Sequence, residues 1–227
     1  SSDVCSSDLE YGEPADDSDS AREKAHLFDC IYNRWFEEAI FKGRYPSEVL
    51  SLFGDLMPDY ADDMRAISAP LDWTGINYYT RSVIRPDSGE PHIGFRCERG
   101  DLPKTAMDWE IYPEGLSYFV RRLAREYAPG LPLYLTESGM ASDDVLIGGE
   151  VCDEARIEYL RLHMEQALIL LSEGLPVRSF FVWSLLDNFE WYFGYSKRFG
   201  LVHVDFASQV RTPKLSWHSL REMLASG

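Results

Sequence analysis

The sequence predicts an α/β fold built on a parallel sheet, and three observations carry that prediction. Apolar stripes at helical spacing alternate with short runs rich in β-branched and aromatic residues, in the order helix, strand, helix, strand, helix, strand, helix. The strand-like runs are nearly continuous in apolar residues, as strands covered on both faces are. The polar residues that could carry chemistry fall where those runs end.

Residues 1 to 9 read Ser-Ser-Asp-Val-Cys-Ser-Ser-Asp-Leu, a short direct repeat with neither helix nor strand period. The sequencing-adapter bases TCT-TCC-GAT-CT encode Ser-Ser-Asp-Leu in one frame. The segment is therefore expected to be non-native, with residues 10–227 forming the protein proper. Residues 10 to 20 are acidic and polar and read as a loop. Ser20-x-x-Glu23 resembles a capping box. Leu27, Phe28, Ile31, Trp35, Ala39 and Ile40 then form one helical stripe, which Gly43 and Pro46 end. Trp73 to Tyr79 reads as a buried strand, and residues 85 to 108, with Pro, Gly and mixed charge, as a long loop.

Pro113 suits the first turn of a helix reaching about Tyr127, with Leu116, Phe119, Val120 and Leu123 on its apolar face. Leu133-Tyr134-Leu135 is a short strand. Asp153 is expected to cap a long helix carrying Ile157, Leu160, Met164, Ala167, Leu168 and Leu171 on one face, ended by Gly174 and Pro176. Val177 to Trp183 is a third strand, and a last helix starts near Ser216.

Composition excludes more than it identifies. A formal net charge of −16 weighs against nucleic acid or an anionic membrane as partner, although solubility alone accounts for an acidic balance. Cys5, Cys30, Cys97 and Cys152 show no paired spacing, and His26, His92, His163, His203 and His218 show no metal-ligand spacing. No disulfide framework or metal site is expected, and reduced thiols point to the cytoplasm. No apolar run has transmembrane length.

Three parallel strands leave two open edges and cannot close. A doubly wound sheet would carry a Gly-rich phosphate loop, and neither GxGxxG nor a Walker pattern occurs. Asn77 and Tyr79, Glu137, and the run Trp183 to Trp191 sit at the C-terminal ends of the three strands, where barrel active sites lie. The expected architecture is part of a (β/α)8 barrel.

The chemistry of these residues suggests carbohydrate. Retaining glycoside hydrolysis uses two carboxyl groups, one attacking the anomeric carbon and one protonating the leaving oxygen. Glu137 follows an apolar strand and precedes Gly139, where the chain can turn sharply; a helix cap or a solvated loop acid is the plainer alternative. Asn77 and Tyr79 are two apart and share a strand face, so the phenol can donate to Glu137. An ordinary core tyrosine is the alternative there. Trp183 offers a flat face to a sugar ring, Glu190 two acceptor oxygens for adjacent hydroxyls, and the Trp191 indole a donor. A lone tryptophan is usually core, but three such groups within nine residues of a strand end are harder to dismiss. Asp187 and Asn188 read as turn or supporting residues.

Residues 183 to 205, Trp-Ser-Leu-Leu-Asp-Asn-Phe-Glu-Trp-Tyr-Phe-Gly-Tyr-Ser-Lys-Arg-Phe-Gly-Leu-Val-His-Val-Asp, resemble the C-terminal signature of glycoside hydrolase family 1, the β-glucosidases. Asn33-Arg34-Trp35-Phe36, Gly43-Arg44-Tyr45-Pro46 and Gly75-Ile76-Asn77-Tyr78-Tyr79-Thr80 are similar to further family motifs. The resemblance runs from about residue 10 to 227. It implies that Glu137 is the nucleophile, Tyr79 its hydrogen-bond partner and Asn77 its neighbour. It makes Trp183, Glu190 and Trp191 the glycone floor, puts Phe199 near the exocyclic carbon, and has Trp109 line the aglycone entrance. No cofactor is implied. Phospho-sugar members lack Phe-Glu-Trp, and Glu190 would repel a 6-phosphate, so the expected glycone is an unphosphorylated β-glucoside. β-Galactoside or β-fucoside preference and a non-catalytic carbohydrate-binding relative are the alternatives.

Two departures stand out. Thr136-Glu137-Ser138-Gly139 replaces the usual Thr-Glu-Asn-Gly. The Asn-Glu-Pro motif carrying the acid/base glutamate, the first-strand Gln and the third-strand His-Trp do not occur. The resemblance thus implies strands six to eight of the barrel, a catalytic parent and a chain that is inactive by itself.

Overall fold

The computed structural model describes residues 7–226. Its spine is a sheet in the order β1 (Ser7–Pro14), β2 (Thr74–Pro86), β4 (Leu133–Ser138), β5 (Val177–Val182), every neighbouring pair parallel. β2, β4 and β5 are the three expected strands. β1 is a fourth, so residues 10–14 are strand where a loop was expected. The acidic side chains of that stretch hide its strand character, because backbone pairing with Leu9↔Tyr78 through Pro14↔Ile84 makes no demand on hydropathy. Of the nonapeptide, residues 1–6 lie outside the described residues, and Ser7 to Leu9 open β1.

One face of the sheet carries the core. Leu9, Ile76, Tyr78, Leu133, Leu135 and Val177 pack against Leu116, Phe119, Val120 and Leu123 of the helical layer, with Ala167 and Leu170 closing it. Ile76, Tyr78, Leu133 and Leu135 are fully buried. Covering one such aliphatic side chain contributes about 1.5–3 kcal/mol.

The helical layer follows the predicted stripes, with local corrections. α1 (Asp19–Asp29) is capped by Ser18, whose hydroxyl accepts from Ala21 N–H at 3.1 Å, not by Ser20. A π-helical turn, Cys30–Arg34, joins it to α2 (Trp35–Lys42), which stops at Gly43 in the left-handed region with φ 62°. α3 (Ser47–Phe53) and α4 (Met64–Ile67) lead into β2. Residues 85–108 are not one loop: β2 runs to Pro86 and pairs antiparallel with β3 (Phe95–Glu98). Alternate charged residues at Arg96 and Glu98 mark an exposed hairpin strand, which resembles a loop in composition.

α5 (Pro113–Arg122) continues as a second π-helical turn, Leu123–Tyr127, matching the expected span. α6 (Glu154–Ser172) buries Arg156, Tyr159, Leu160, His163, Ala167 and Leu170. Leu168 and Leu171, expected on the buried stripe, are exposed. The buried stripe includes Arg156, held in the interior by ion pairs with Asp144 and Asp153 that hydropathy cannot reveal. Asp153 occupies the position before α6 without capping it; its carboxylate instead accepts from Ser216 N–H and Oγ–H at 2.8 and 2.6 Å. A hairpin of β6 (Val202–Val204) and β7 (Arg211–Pro213) precedes α7 (Leu215–Ser226).

Candidate active site

The C-terminal ends of β4 and β5, with the start of β1 and the middle of β2, open into a cleft of about 600 Å³. All eight residues singled out from the sequence line it: Asn77, Tyr79, Trp109, Glu137, Trp183, Glu190, Trp191 and Phe199.

A bulge aims Glu137. Leu133 and Leu135 face the core, so strict alternation would send residue 137 the same way. The register between β2 and β4 shifts between Ile76 and Asn77: Ile76 opposes Leu135, while Asn77 opposes Glu137. The extra residue, Thr136, rephases the strand and brings Glu137 beside Asn77 on the cleft side. Thr136 Oγ1 donates to Asn77 Oδ1 at 2.8 Å and holds that amide in place.

Tyr79 Oη donates to Glu137 Oε2 at 2.7 Å. Burial and the adjacent carboxylate push the Tyr79 hydroxyl far above the ordinary phenol range, so it remains a donor. Burial likewise raises the Glu137 carboxyl. The Tyr79 bond opposes that rise, the Asp8 charge adds to it, the Asn77 bond opposes it, and Glu190 adds to it. Burial and two oriented donors thus act on this carboxyl in opposite senses, and the donors fix its direction.

Aromatic rings form the walls. Tyr79, Trp109 and Phe199 meet in a triangle with centroid separations of 5.4, 6.2 and 6.2 Å. Phe199 is buried, whereas Trp191 is 85% and Tyr192 95% exposed, so the wall they form faces open solvent. Glu190 Oε2 accepts from Asn188 Nδ2 at 2.8 Å, leaving its other oxygen for a ligand.

The loop from Trp183 to Phe199 is anchored from beneath. Asp187, buried, accepts from Arg198 Nη1 at 2.5 Å and from Lys214 Nζ at 2.7 Å, and from the amides of Gly200 and Val204 at 3.0 and 3.2 Å. Lys214 also meets Asp144 at 2.5 Å, and Arg156 joins Asp144 at 2.8 Å and contacts Asp153. Burial pushes Asp187 up, but the bonds and charge of Lys214 and Arg198 outweigh it and hold the carboxyl below its usual range. Sequence reading gave Asp187 only a turn or supporting role and passed over Lys214 and Arg156. An isolated lysine before a helix offered no signal. Asp8, Glu10, Arg99 and Met107 also reach the cleft and were not foreseen. Arg99 Nη1 donates to Ser82 Oγ at 3.1 Å and lies 3.6 Å from Glu10. Recognising the β3 hairpin would have placed Arg99 near β2.

A family model described as Glycosyl hydrolase family 1 matches residues 4–226. The chain belongs to that family. It is 43% identical over 214 residues to a 1,4-beta-D-glucan glucohydrolase of Thermotoga neapolitana, covering 92% of this chain and 48% of that protein. It is 39% identical over 221 residues to a bifunctional beta-D-glucosidase/beta-D-fucosidase of Bifidobacterium breve, covering 88% and 48%. Among solved structures, the family 1 β-glucosidase of Exiguobacterium antarcticum B7 superposes with a TM-score of 0.92 at 37% identity, covering 96% of this chain and 50% of that one. The chain spans about half the length of the curated relatives it matches. Its four parallel strands are part of the (β/α)8 barrel of family 1 glycosyl hydrolases. Among the described residues no helix is long and apolar enough to cross a membrane.

Proposed function

We propose that this chain is the nucleophile-bearing part of a retaining β-glucosidase acting on unphosphorylated terminal β-D-glucosyl groups. The observation that carries the reading is the 2.7 Å bond from Tyr79 to Glu137 at a strand end inside an aromatic cleft. Glu137 Oε1 attacks the anomeric carbon, forming an ester as the bond to the aglycone oxygen breaks. The acid/base glutamate, which this sequence does not contain, delivers the proton to that oxygen. It then takes a proton from water, which displaces Glu137 and restores the starting configuration at the anomeric carbon. Tyr79 keeps Glu137 ionised and directs its free oxygen toward the sugar. Trp183 stacks on the ring, Glu190 accepts from its hydroxyls, and the Trp191 indole N–H donates to another.

The chain alone lacks the proton donor and is expected to be inert. Glu190 favours neutral hydroxyls over a 6-phosphate by charge repulsion. It serves either C4 epimer, so β-galactoside or β-fucoside preference is a second reading. The Bifidobacterium breve relative, named for both glucosidase and fucosidase, favours keeping it. Unpaired thiols at Cys30, Cys97 and Cys152 support a cytoplasmic setting. Residues 1–9 are proposed to be non-native; a source gene encoding that nonapeptide overturns this.

The test is recovery of the full-length gene and assay of aryl β-glucoside hydrolysis with and without Glu137→Ala. Activity that is lost in the variant and partly restored by azide supports a nucleophilic Glu137. An intact barrel with no activity favours a carbohydrate-binding role instead.

A further inference from the structure

We infer that His26, Cys30 and Glu48 form a binding site for a divalent transition-metal ion, with Zn²⁺ the best match, outside the glycosidase cleft. His26 and Cys30 are four residues apart and lie on one face across the junction of α1 and the π-helical turn. Glu48, in the first turn of α3, reaches the same point from the other side of a groove. Cys30 Sγ is 3.5 Å from His26 Nε2, which is 3.1 Å from Glu48 Oε1, and the three donor atoms all lie within 4.8 Å of one another. Ligands about 2.0–2.3 Å from a tetrahedral zinc ion stand roughly 3.3–3.6 Å apart, so two of the three edges are close to this spacing already.

The donor set suits the ion. Thiolate, imidazole and carboxylate together select zinc and its neighbours over magnesium or calcium, which prefer oxygen alone. One thiolate and one carboxylate neutralise a divalent charge. The neighbouring cations are occupied: Arg34 pairs with Asp29 at 2.5 Å and Arg44 with Glu38 at 3.2 Å. Ser47 Oγ donates to Glu48 Oε2 at 2.9 Å, which fixes the carboxylate with Oε1 turned toward the imidazole. Binding displaces the Cys30 proton to solvent, keeps His26 neutral, and leaves a fourth position for water from the groove. None of the three residues lines the catalytic cleft. The ion would cross-link α1 to α3, replacing a solvent-exposed His–Glu contact.

The test is titration of the purified full-length protein with Co²⁺, which reports thiolate ligation by a sulfur-to-metal charge-transfer band, followed by competition with Zn²⁺. The expected result is about one ion per chain, a thiolate band, and displacement of Co²⁺ by Zn²⁺. His26→Ala changes an exposed side chain and Glu48→Gln a half-buried one, and circular dichroism verifies their fold. Each is expected to weaken binding at least about 100-fold, the upper range for losing even an outer-sphere partner. Co²⁺ binding without a thiolate band, an unchanged titration in both variants, or no binding at millimolar Zn²⁺ overturns the site and leaves a plain His26–Glu48 ion pair.

Discussion

Gly139 lies so close to Trp183 that a Cβ on it would stand 1.8 Å from the Trp183 carbonyl oxygen. The obstructing atom is backbone, so no rotamer change relieves the contact. The close approach joins the two halves of the cleft: β4 delivers Glu137 two residues before Gly139, and Trp183 follows β5. Gly139→Ala is expected to force the strands apart, destabilising the chain by at least about 2 kcal/mol, in the range of overpacked cores. Urea unfolding followed by tryptophan fluorescence checks this; an unchanged midpoint would show that the strand ends separate freely.

The Tyr79 bond favours the ionised form of Glu137, against burial, which favours the neutral form. Removing the hydroxyl therefore raises the Glu137 carboxyl further. Tyr79→Phe is expected to move the carboxyl titration to higher pH, read by ¹³C NMR of the Glu137 side chain. In the full-length enzyme the acid limb of the pH–rate profile should move up with it, because the proposed attack by Glu137 needs its ionised form. A shift to lower pH would mean that the phenol is not a donor to this group.

The charged lattice beneath the Trp183–Phe199 loop makes a separate prediction. Lys214 is fully buried between Asp187 and Asp144, so Lys214→Met leaves two buried carboxylates without their shared cation. A loss of about 3–5 kcal/mol is expected from breaking such a pair. Asp187 is held below its usual range, so its contribution is present above the unfolded value of about 3.9 and is lost as pH falls through the lower folded value. Acid unfolding of the wild type and variant should therefore begin to converge only below about pH 4, as Asp187 takes up a proton in the folded state. A separation that stays constant however far the pH falls would assign the loss to packing.

The sequence exposes what hydropathy and chemistry mark together. Ile76, Tyr78, Leu133 and Leu135 stand out as strand cores, and the aromatic and acidic residues at the strand ends stand out as cleft residues. It conceals what depends on register and on distant partners. Alternation alone would turn Glu137 toward Leu133 and Leu135; only the pairing shift opposite Asn77 turns it to the cleft. β1 is hidden because Glu10 and Glu13 are acidic, and its strand state comes from bonding to β2. Lys214 gives no signal because its partners Asp144 and Asp187 lie 70 and 27 positions away, and Arg156 gives none because hydropathy does not mark a buried ion pair even with Asp153 three residues off.

His163 on α6 provides a further handle on pH. It is fully buried, its ring stacked on Tyr159 at 3.9 Å, with Nδ1 2.8 Å from the Tyr159 carbonyl oxygen. Burial lowers its pKa from 6.5 to about 4, while the Tyr159 bond acts weakly the other way. Between those values the unfolded chain binds a proton that the folded chain does not, so stability rises with pH through that window. The slope from this one site approaches about 1.4 kcal/mol per pH unit. His163→Phe keeps an aromatic ring against Tyr159 and removes the titration. Its stability is expected to fall less steeply than wild type between pH 6.5 and pH 4, measured by urea unfolding across that range. Parallel curves for the two proteins would place the acid sensitivity in other groups and leave His163 as packing alone.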